Sequence, residues 1–306
     1  MTTLVVGLGL LGGHLEERLL ASGDAVRTVA VPWGDHDGAL RALLAAADGA
    51  AAASPDWRLA WCAGAGVVAT PAADLDAEVQ LFQDFVDAVA HPPASMFLAS
   101  SAGGLYAGSP GPPPFDERSE VVALAPYGEA KSAMEAIAQG LARDGTRLLV
   151  GRIANLYGPG QDLTKPQGLI SQLCLAHETR GTLNLHVSLD TLRDYLYVDD
   201  AAAMVTAALD LVGAEPPGSA VTKVFASGRA VSVGTVVGEA TRVLRRHPRV
   251  STRQAPGRQV RDLRLRSTVW PHLDVLARTP LAVGLRATAA DVAARSHRAV
   301  SPRGRA

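Results

Sequence analysis

The sequence predicts an α/β fold in which a doubly wound parallel sheet is followed by a smaller C-terminal α/β lobe. Three observations predict it. Short apolar segments alternate with helical stretches from residue 3 to about residue 158, which is typical of parallel strands joined by right-handed crossovers. A glycine-rich turn at residues 7–12 directly follows the first apolar segment. The alternation then weakens, which indicates a second architecture in the rest of the chain.

Each element of the alternation has its own pattern. Strands are indicated by short apolar runs bounded by glycine, proline or polar residues, and helices by longer stretches with helical spacing. In chain order these are a strand at 3–7, the helix "GGHLEERLLASG", a strand at 25–31, a helix at 37–48, the strand "RLAWCAGAG", a helix at 74–90, the strand "SMFLAS", a loop at 108–114, the helix that carries Tyr127, and the strand "TRLLVGRIAN". Gly23 supports the end of the first helix, because glycine adopts the left-handed C-cap conformation at low cost.

The expected domain boundary lies near residue 160. Residues 1–160 are predicted to form the doubly wound domain, joined by a returning segment near 190–212. Residues 161–306 are predicted to form mainly the smaller lobe, which would bind the substrate. The tail 296–306, "SHRAVSPRGRA", has little apolar surface to bury and is expected to be loose.

Composition and charge exclude several classes of protein. With 306 residues, 48% of them hydrophobic, the chain can bury a large core, and a net charge of −1 argues against action through bulk charge. Residues 242–305 hold 15 arginines and three acidic residues, which favours a solvated face or a small anionic ligand over nucleic acid. No uncharged apolar run is long enough for a membrane span. Cys62 and Cys174 fit no metal-ligand spacing, so no metal is expected, and free thiols indicate the cytoplasm.

The glycine turn predicts a dinucleotide site. Gly7, Gly9 and Gly12 have the spacing Gly-x-Gly-x-x-Gly between a strand and a helix. The first glycine allows a tight turn, the second keeps a side chain out of the path of a pyrophosphate, and the third lets helix and strand pack closely. The phosphates would then lie against the free N–H groups at the helix start, where Leu10 and Leu11 stand. This is the Rossmann arrangement, and it predicts NAD or NADP.

The choice between the two cofactors is open, with NAD slightly favoured. An acidic residue that holds the adenosine ribose is expected about 20 residues after the turn. The stretch from Ala30 to Trp33 contains neither an acid nor an arginine that would bind a ribose phosphate. Asp35 and Asp37 follow slightly late in the chain.

The stretch "LAPYGEAKSAME" at residues 124–135 carries a tyrosine and a lysine four residues apart. Tyr127 and Lys131 therefore lie on one side of one helical turn. Hydride transfer at a carbinol carbon also requires movement of the hydroxyl proton. A lysine ammonium within about 4–6 Å favours the phenolate of a tyrosine, whose usual pKa is near 10. Ser100 and Ser101, at the end of the preceding strand, are candidates for the hydroxyl donor that steadies the substrate oxygen.

Five motifs in one order resemble a known family. They are the glycine turn, "SSAGGLYAG" at 100–108, "PYGEAK" at 126–131, "GRIANLYGPG" at 151–160 and "RDYLYVDDAA" at 193–202. The chain resembles the extended short-chain dehydrogenase/reductases, the NAD-dependent epimerase/dehydratases that modify nucleotide sugars. The resemblance covers most of the chain. It implies that Tyr127 is the acid/base and that Lys131 is its electrostatic partner and a ribose contact.

The resemblance also implies a site for a nucleotide-diphosphate sugar. Asn155 and Arg193 match positions that face the nucleotide diphosphate in the family, and Arg258 and Arg261 fall where the family has another phosphate-binding arginine. Such a role would explain part of the basic C-terminal composition, because a guanidinium binds phosphate oxygens through two hydrogen bonds. A homodimer formed through the helices at 74–90 and 126–143 is implied as well.

The chain departs from the family pattern at several positions. The turn has Val6 where the family usually has its first glycine. The family's catalytic hydroxyl stands four residues before the tyrosine of the "SSAGGLYAG" segment, and here that residue is Ala102, with Ser101 one place earlier. Glu78 stands where the family often has asparagine.

Alternatives remain at each level of function. A nucleotide-sugar 4-epimerase returns the hydride to the other face of the sugar, whereas a ketoreductase of the same family releases the changed cofactor. Dehydration is disfavoured, because glycine and leucine stand where the dehydratases have an Asp-Glu pair. A dinucleotide-sensing regulator without turnover is the alternative of a different class.

The candidate site residues also have purely structural interpretations. The two serines would cap a turn, Asn155 would bind backbone, and Arg193 would pair with Asp194. Asp199 and Asp200 would cap the next helix.

Overall fold

The computed structural model describes residues 1–64, 70–165, 167–253 and 260–300, with the backbone alone at 298–300. The first half of the chain holds β1 (Thr2–Val6), α1 (Leu10–Ala21), β2 (Ala25–Thr28), α2 (His36–Ala53), β3 (Arg58–Trp61), α3 (Ala72–Ala88), β4 (Ser95–Ser101), α4 (Ala102–Leu105), α5 (Pro126–Arg143), β5 (Arg147–Ile153) and β6 (Asn155–Tyr157). The second half holds α6 (Leu169–Glu178), β7 (Thr182–Leu185), β8 (Leu192–Arg193), β9 (Tyr195–Tyr197), α7 (Val198–Ala214), β10 (Ala220–Phe225), β11 (Val231–Ser232), α8 (Val233–Leu244), β12 (Arg249–Thr252), β13 (Asp262–Leu263), a 3-10 helix (Pro271–Leu276) and α9 (Leu281–Val300).

The central sheet has six parallel strands in the order β2-β1-β3-β4-β5-β10. The chain runs from β1 to β2 on one side and then crosses to β3 on the other side of β1. Sheets of this kind bind ligands beyond the carboxyl ends of the strands, where the strand order reverses. The predicted doubly wound α/β fold is confirmed, and its switch point lies next to the glycine turn.

Helices cover both faces of this sheet. Alternate residues of β1 show the arrangement, because Val5 belongs to the apolar core shared with α1 and α7, whereas Leu4 and Val6 belong to the core shared with α2, α3 and α5. Both faces of a parallel sheet are therefore buried, as the near-continuous apolar strands require.

The sixth strand, β10, carries a charged residue in its centre. Lys223 is 0% exposed, and its ammonium donates hydrogen bonds to Asp274 Oδ1 at 2.8 Å, Ser267 Oγ at 2.9 Å and the Val269 carbonyl at 2.8 Å. These bonds satisfy the three N–H groups of the buried ammonium. They also fix the segment before α9 to the edge of the sheet.

A second, smaller core lies in the C-terminal part. Helices α6, α8 and α9 pack together there, with small sheets formed by β11, β8 and β13 and by β7 and β12. Helix α9 continues to Val300, so the first part of the tail expected to be loose is helical, and residues 301–306 lie outside the described residues. No helix within the described ranges is both long and apolar enough to cross a membrane.

The expectation that Asp199 and Asp200 cap α7 is wrong. Helix α7 starts after Tyr197, without a side-chain cap. Both oxygens of Asp200 instead accept hydrogen bonds from Thr279, from its amide at 2.7 Å and its hydroxyl at 2.8 Å. The Asp200 carboxylate thus binds the amide and hydroxyl of Thr279, 79 residues away, instead of the N–H groups of its own helix.

Candidate active site

The glycine turn joins the carboxyl end of β1 to α1 and has the geometry of a pyrophosphate cradle. Gly7 has a φ of +88°, and a Cβ there would lie 2.5 Å from the backbone of Ala63. A Cβ on Gly12 would lie 2.0 Å from the carbonyl oxygen of Gly7, so helix and strand pack too closely for any side chain. A Cβ on Gly9 would meet nothing within 4 Å. The turn therefore leaves open space before the N–H groups of α1, starting at Leu10 and Leu11, which fits the phosphates of a dinucleotide.

Tyr127 and Lys131 lie at the start of α5. Pro126 opens the helix at its first position, where the missing N–H costs nothing. Lys131 is buried, and its Nζ lies 6.0 Å from the centroid of the Tyr127 ring. The free N–H groups of the helix start favour negative charge near Tyr127. The pair predicted from the sequence spacing is thus one local unit.

Gly104 connects Ser101 to Tyr127. The Gly104 amide donates a hydrogen bond to Ser101 Oγ at 3.1 Å, and Ser101 thereby caps the short helix α4. A Cβ on Gly104 would lie 3.2 Å from Tyr127 Cδ1, so the tyrosine ring packs on this glycine. The oxygen of Ser101 accepts this bond, which leaves the hydroxyl proton for another acceptor.

Ser100 has a different environment. It is buried, and its hydroxyl donates to Glu135 Oε1 at 2.6 Å. Glu135 also forms a two-pronged ion pair with Arg152, with a shortest N–O distance of 2.7 Å, and Arg152 donates to the hydroxyl of Tyr106 at 2.9 Å. This series of hydrogen bonds links α5 to β4 and β5. The Ser100 hydroxyl is thus occupied by Glu135.

Arg193 lacks an acidic partner within the described part of the chain. Its guanidinium donates to the backbone carbonyls of Leu192 and Val260, both at 2.8 Å. Burial lowers the pKa of Arg193, because the charged form is partly removed from water. The ion pair with Asp194, the structural alternative for Arg193, is not among the ion pairs of the described residues. A partly buried guanidinium that forms no ion pair with the described residues can attract an anion.

Asp194 and Asn155 hold the loops around Arg193. Asp194 is fully buried, with Oδ1 accepting from the Ser227 amide at 2.8 Å and Oδ2 without a hydrogen bond. Burial raises the pKa of Asp194. The amide group of Asn155 donates to the Asp194 carbonyl at 2.9 Å, while Asn155 itself is exposed. Its side chain thus binds backbone, as the structural interpretation predicts.

Of the two other arginines predicted to bind phosphate, the structure describes Arg261. The side chain of Arg261 is 75% exposed and lies 3.8 Å from Asp190, an ion pair of little energetic weight at such exposure. Arg258 lies outside the described residues. The Val260 carbonyl, next to Arg261 in the chain, accepts a hydrogen bond from Arg193.

Sequence reasoning missed His14, which joins three parts of the site. Nδ1 of His14, on α1, lies 2.5 Å from Asp199 Oδ1, and Nε2 lies 3.1 Å from the carbonyl oxygen of Pro159. The histidine therefore links α1 to the start of α7 and to the "YGPG" turn. No local pattern marks such a residue, since its partners are 145 and 185 positions away.

Burial makes both cysteines poor nucleophiles. It raises the pKa of Cys62 and of Cys174 to about 12, despite the opposing charge of Lys131 near Cys62. Both thiols are free, as expected.

Comparison with known proteins identifies the family. Residues 3–222 match the model of the NAD dependent epimerase/dehydratase family. The chain belongs to this family. The predicted resemblance to extended short-chain dehydrogenase/reductases, and the expectation that the protein is an enzyme of this type, are confirmed. None of the curated proteins is similar enough in sequence to count as a match.

Solved structures of this epimerase/dehydratase fold are similar over nearly the full chain. The UDP-glucose 4-epimerase of Thermotoga maritima, with UDP-glucose, is 21% identical, with 97% of this chain and 99% of that one covered and a TM-score of 0.80. The UDP-glucose 4-epimerase of Thermus thermophilus, in complex with NAD, is 19% identical, with coverages of 95% and 99% and a TM-score of 0.75. The RMD protein of Pseudomonas aeruginosa, in complex with NADPH, is 20% identical, with coverages of 96% and 100% and a TM-score of 0.75.

Proposed function

We propose that this epimerase/dehydratase family member acts on a nucleotide-activated sugar and is a nucleotide-sugar 4-epimerase. The observation that carries the proposal is the Tyr127–Lys131 unit at the start of α5, beside a glycine turn with the geometry of a pyrophosphate cradle. The guanidinium of Arg193, which forms no ion pair within the described residues, supports a diphosphate-bearing substrate. The UDP-glucose bound in the structure from Thermotoga maritima supports the same substrate class.

In the proposed reaction, each residue of the site would have its own catalytic or binding role. When bound, a nicotinamide dinucleotide supplies the redox chemistry, taking up a hydride from the sugar carbon or giving one back. Tyr127 removes or returns the proton at the sugar hydroxyl oxygen, and Lys131 stabilises its phenolate form. Ser101, rather than Ser100, donates a hydrogen bond to the same oxygen, because the Ser100 hydroxyl is engaged by Glu135. Arg193 holds the diphosphate, and Asn155 lines the same region.

The cofactor choice and the alternative reaction are linked. The glycine turn with Leu10 and Leu11 fits either NAD or NADP, and NAD is the proposal because 4-epimerisation retains its cofactor. The absence of an acid from Ala30 to Trp33 leaves room for NADP, which favours the alternative of a ketoreductase. A sensing regulator is disfavoured, because it has no use for a buried lysine beside Tyr127.

Assembly and location are part of the proposal as well. Helices α3 and α5, which correspond to the expected dimer helices, lie side by side on one face of the sheet. We expect a homodimer through these helices, no nucleic-acid or membrane partner, and action in the cytoplasm.

A substrate screen tests the proposed function. Purified protein with NAD or NADP is incubated with a panel of nucleotide hexoses, and sugar products are resolved by NMR while nicotinamide absorbance is followed. We expect C4 inversion without net change in the absorbance. Net oxidation or reduction with a keto sugar or its alcohol would favour the ketoreductase, and cofactor binding without any product across the panel would favour the regulator.

A further inference from the structure

A charged residue on a different helix engages Lys131. Oε1 of Glu78, on α3, lies 3.3 Å from Lys131 Nζ, and the two side chains are 14% and 7% exposed. The ammonium also lies 3.7 Å from Met134 Sδ, and a Cβ on Gly64 would be 2.8 Å from Nζ. The ammonium is thus confined between α3, α5 and the backbone that follows β3.

Burial makes this pair important for the position of the lysine. A nearly buried ammonium is costly without a counter-charge, and breaking such a pair from one side leaves an uncompensated charge. Glu78 is the acidic residue within 4 Å of Lys131 in the described part of the chain. The carboxylate therefore determines where the Lys131 ammonium rests before any ligand binds.

The same carboxylate changes the electrostatics felt by Tyr127. The Lys131 ammonium, 6.0 Å from the Tyr127 ring centroid, favours a phenolate, and an adjacent negative charge opposes that effect. The family resemblance places a neutral asparagine at this position, which could hold the lysine by a hydrogen bond without opposing its charge. Glutamate here adds a charge to the centre of the site.

We propose that Glu78 is a positioning residue that fixes the Lys131 ammonium over Gly64 and offsets part of the positive charge acting on Tyr127. The inference rests on the proposed function only in that it takes Tyr127 as the acid/base. Glu78 then controls how readily the phenolate of Tyr127 forms.

Direct titration of the tyrosine in the cofactor-free protein tests this inference. Tyrosinate is followed by ultraviolet difference absorbance against pH, and the curve of the Tyr127→Phe variant is subtracted to isolate Tyr127. The subtraction is favourable because burial raises the pKa of the four other tyrosines, to about 12 for Tyr195 and Tyr197.

The key variant is Glu78→Gln, which keeps a hydrogen-bond acceptor for Lys131 and removes the charge. We expect a phenolate-to-phenol ratio about tenfold higher than in the parent at the same pH, the effect of removing one nearby charge. Glu129→Gln is the matched control, since Glu129 is an exposed glutamate on the same helix as Tyr127, and its removal should leave the curve unchanged. A Glu78→Gln curve that superimposes on the parent curve would overturn the inference.

A second variant covers the case in which Glu78→Gln does not fold. Glu78→Asn introduces the neutral residue of the family and should shift the curve in the same direction. If neither variant folds, Glu78 is a structural residue and the inference fails. Because the titration uses neither cofactor nor sugar, its result stands apart from the proposed function, which fails instead if Tyr127→Phe retains full turnover.

Discussion

Gly104 and Gly128 pack backbone to backbone, so that a Cβ on Gly128 would lie 2.3 Å from the carbonyl oxygen of Gly104. This contact fixes the start of α5 against α4. The amide of Gly104 binds the Ser101 oxygen, and the ring of Tyr127 covers the same glycine. Main-chain packing therefore sets the position of Ser101 relative to Tyr127. The Ser101 hydroxyl, one residue earlier than the family's position, therefore shares Gly104 as a neighbour with the Tyr127 ring.

The two serines should respond differently to substitution. Ser101→Ala removes both the free donor and the cap of α4, so we expect kcat to fall about 10- to 100-fold with little change in cofactor affinity, and the free energy of unfolding to fall by about 0.5–2 kcal/mol. Ser100→Ala leaves Glu135 short of one hydrogen bond and should mainly lower the free energy of unfolding, by about 1–3 kcal/mol. Steady-state kinetics and urea unfolding of both variants check this. The reverse pattern would assign the donor role to Ser100.

Substitutions at two glycines of the turn should have different effects, one on cofactor affinity and the other on the stability of the fold. Gly9→Ala places a methyl group in open space, so the protein should keep its stability to within about 1 kcal/mol, while cofactor affinity falls because the pyrophosphate path is blocked. Gly12→Ala forces a contact with the Gly7 carbonyl and should destabilise the fold by about 1–3 kcal/mol. Thermal unfolding and cofactor titration measure both effects. Undiminished cofactor binding by Gly9→Ala would contradict the cradle.

Arg193 should bind the diphosphate of the substrate. Arg193→Met removes charge-assisted hydrogen bonds, and we expect a loss of about 1.5–3 kcal/mol in the affinity for a nucleoside diphosphate such as UDP, roughly 10- to 150-fold in Kd. Cofactor affinity should not change. Arg242→Met is the control, because Arg242 is an exposed arginine of the same lobe that already pairs with Glu239. Calorimetry gives both constants, and equal effects of the two variants would exclude a specific role.

The buried carboxyl of Asp194 predicts a pH dependence of stability. Its folded-state pKa is raised by burial, so the unfolded chain loses this proton at lower pH than the native protein does. Between the two pKa values the native state binds more protons, and the Asp194 contribution to stability falls as pH rises from about 4. Asp194→Asn removes this penalty. Urea unfolding at several pH values should show the variant gaining stability relative to the parent as pH increases; a constant difference would contradict it.

Features that depend on residues close together in the sequence could be predicted from it. The glycine turn needs only residues 7–12, and the Tyr127–Lys131 pair needs only one helical turn. The alternation of strands and helices predicted the doubly wound fold for the same reason. Each pattern depends on backbone geometry that repeats over a few residues, so no tertiary information is needed.

Features that depend on distant partners could not be predicted. Strand β10 was not identified, because Lys223 in its centre suggests an exposed position until Asp274, 51 residues away, pairs with it. The sequence marks Glu78 only as a departure from the family pattern, because its contact with Lys131 spans 53 residues. Ser100 cannot be distinguished from Ser101 by sequence, because the difference lies in the contact of Ser100 with Glu135, 35 residues away on α5.

Tyr127 is proposed as the acid/base of a nicotinamide-dependent reaction on a nucleotide sugar. The most direct test measures turnover and cofactor affinity of Tyr127→Phe on the substrate found in the screen, with Tyr197→Phe, outside the helix that carries the pair, as the control. We predict that Tyr127→Phe keeps cofactor affinity within about twofold and lowers kcat by about 10²- to 10⁴-fold, the usual contribution of a general acid/base. Turnover equal to that of the parent would contradict the account.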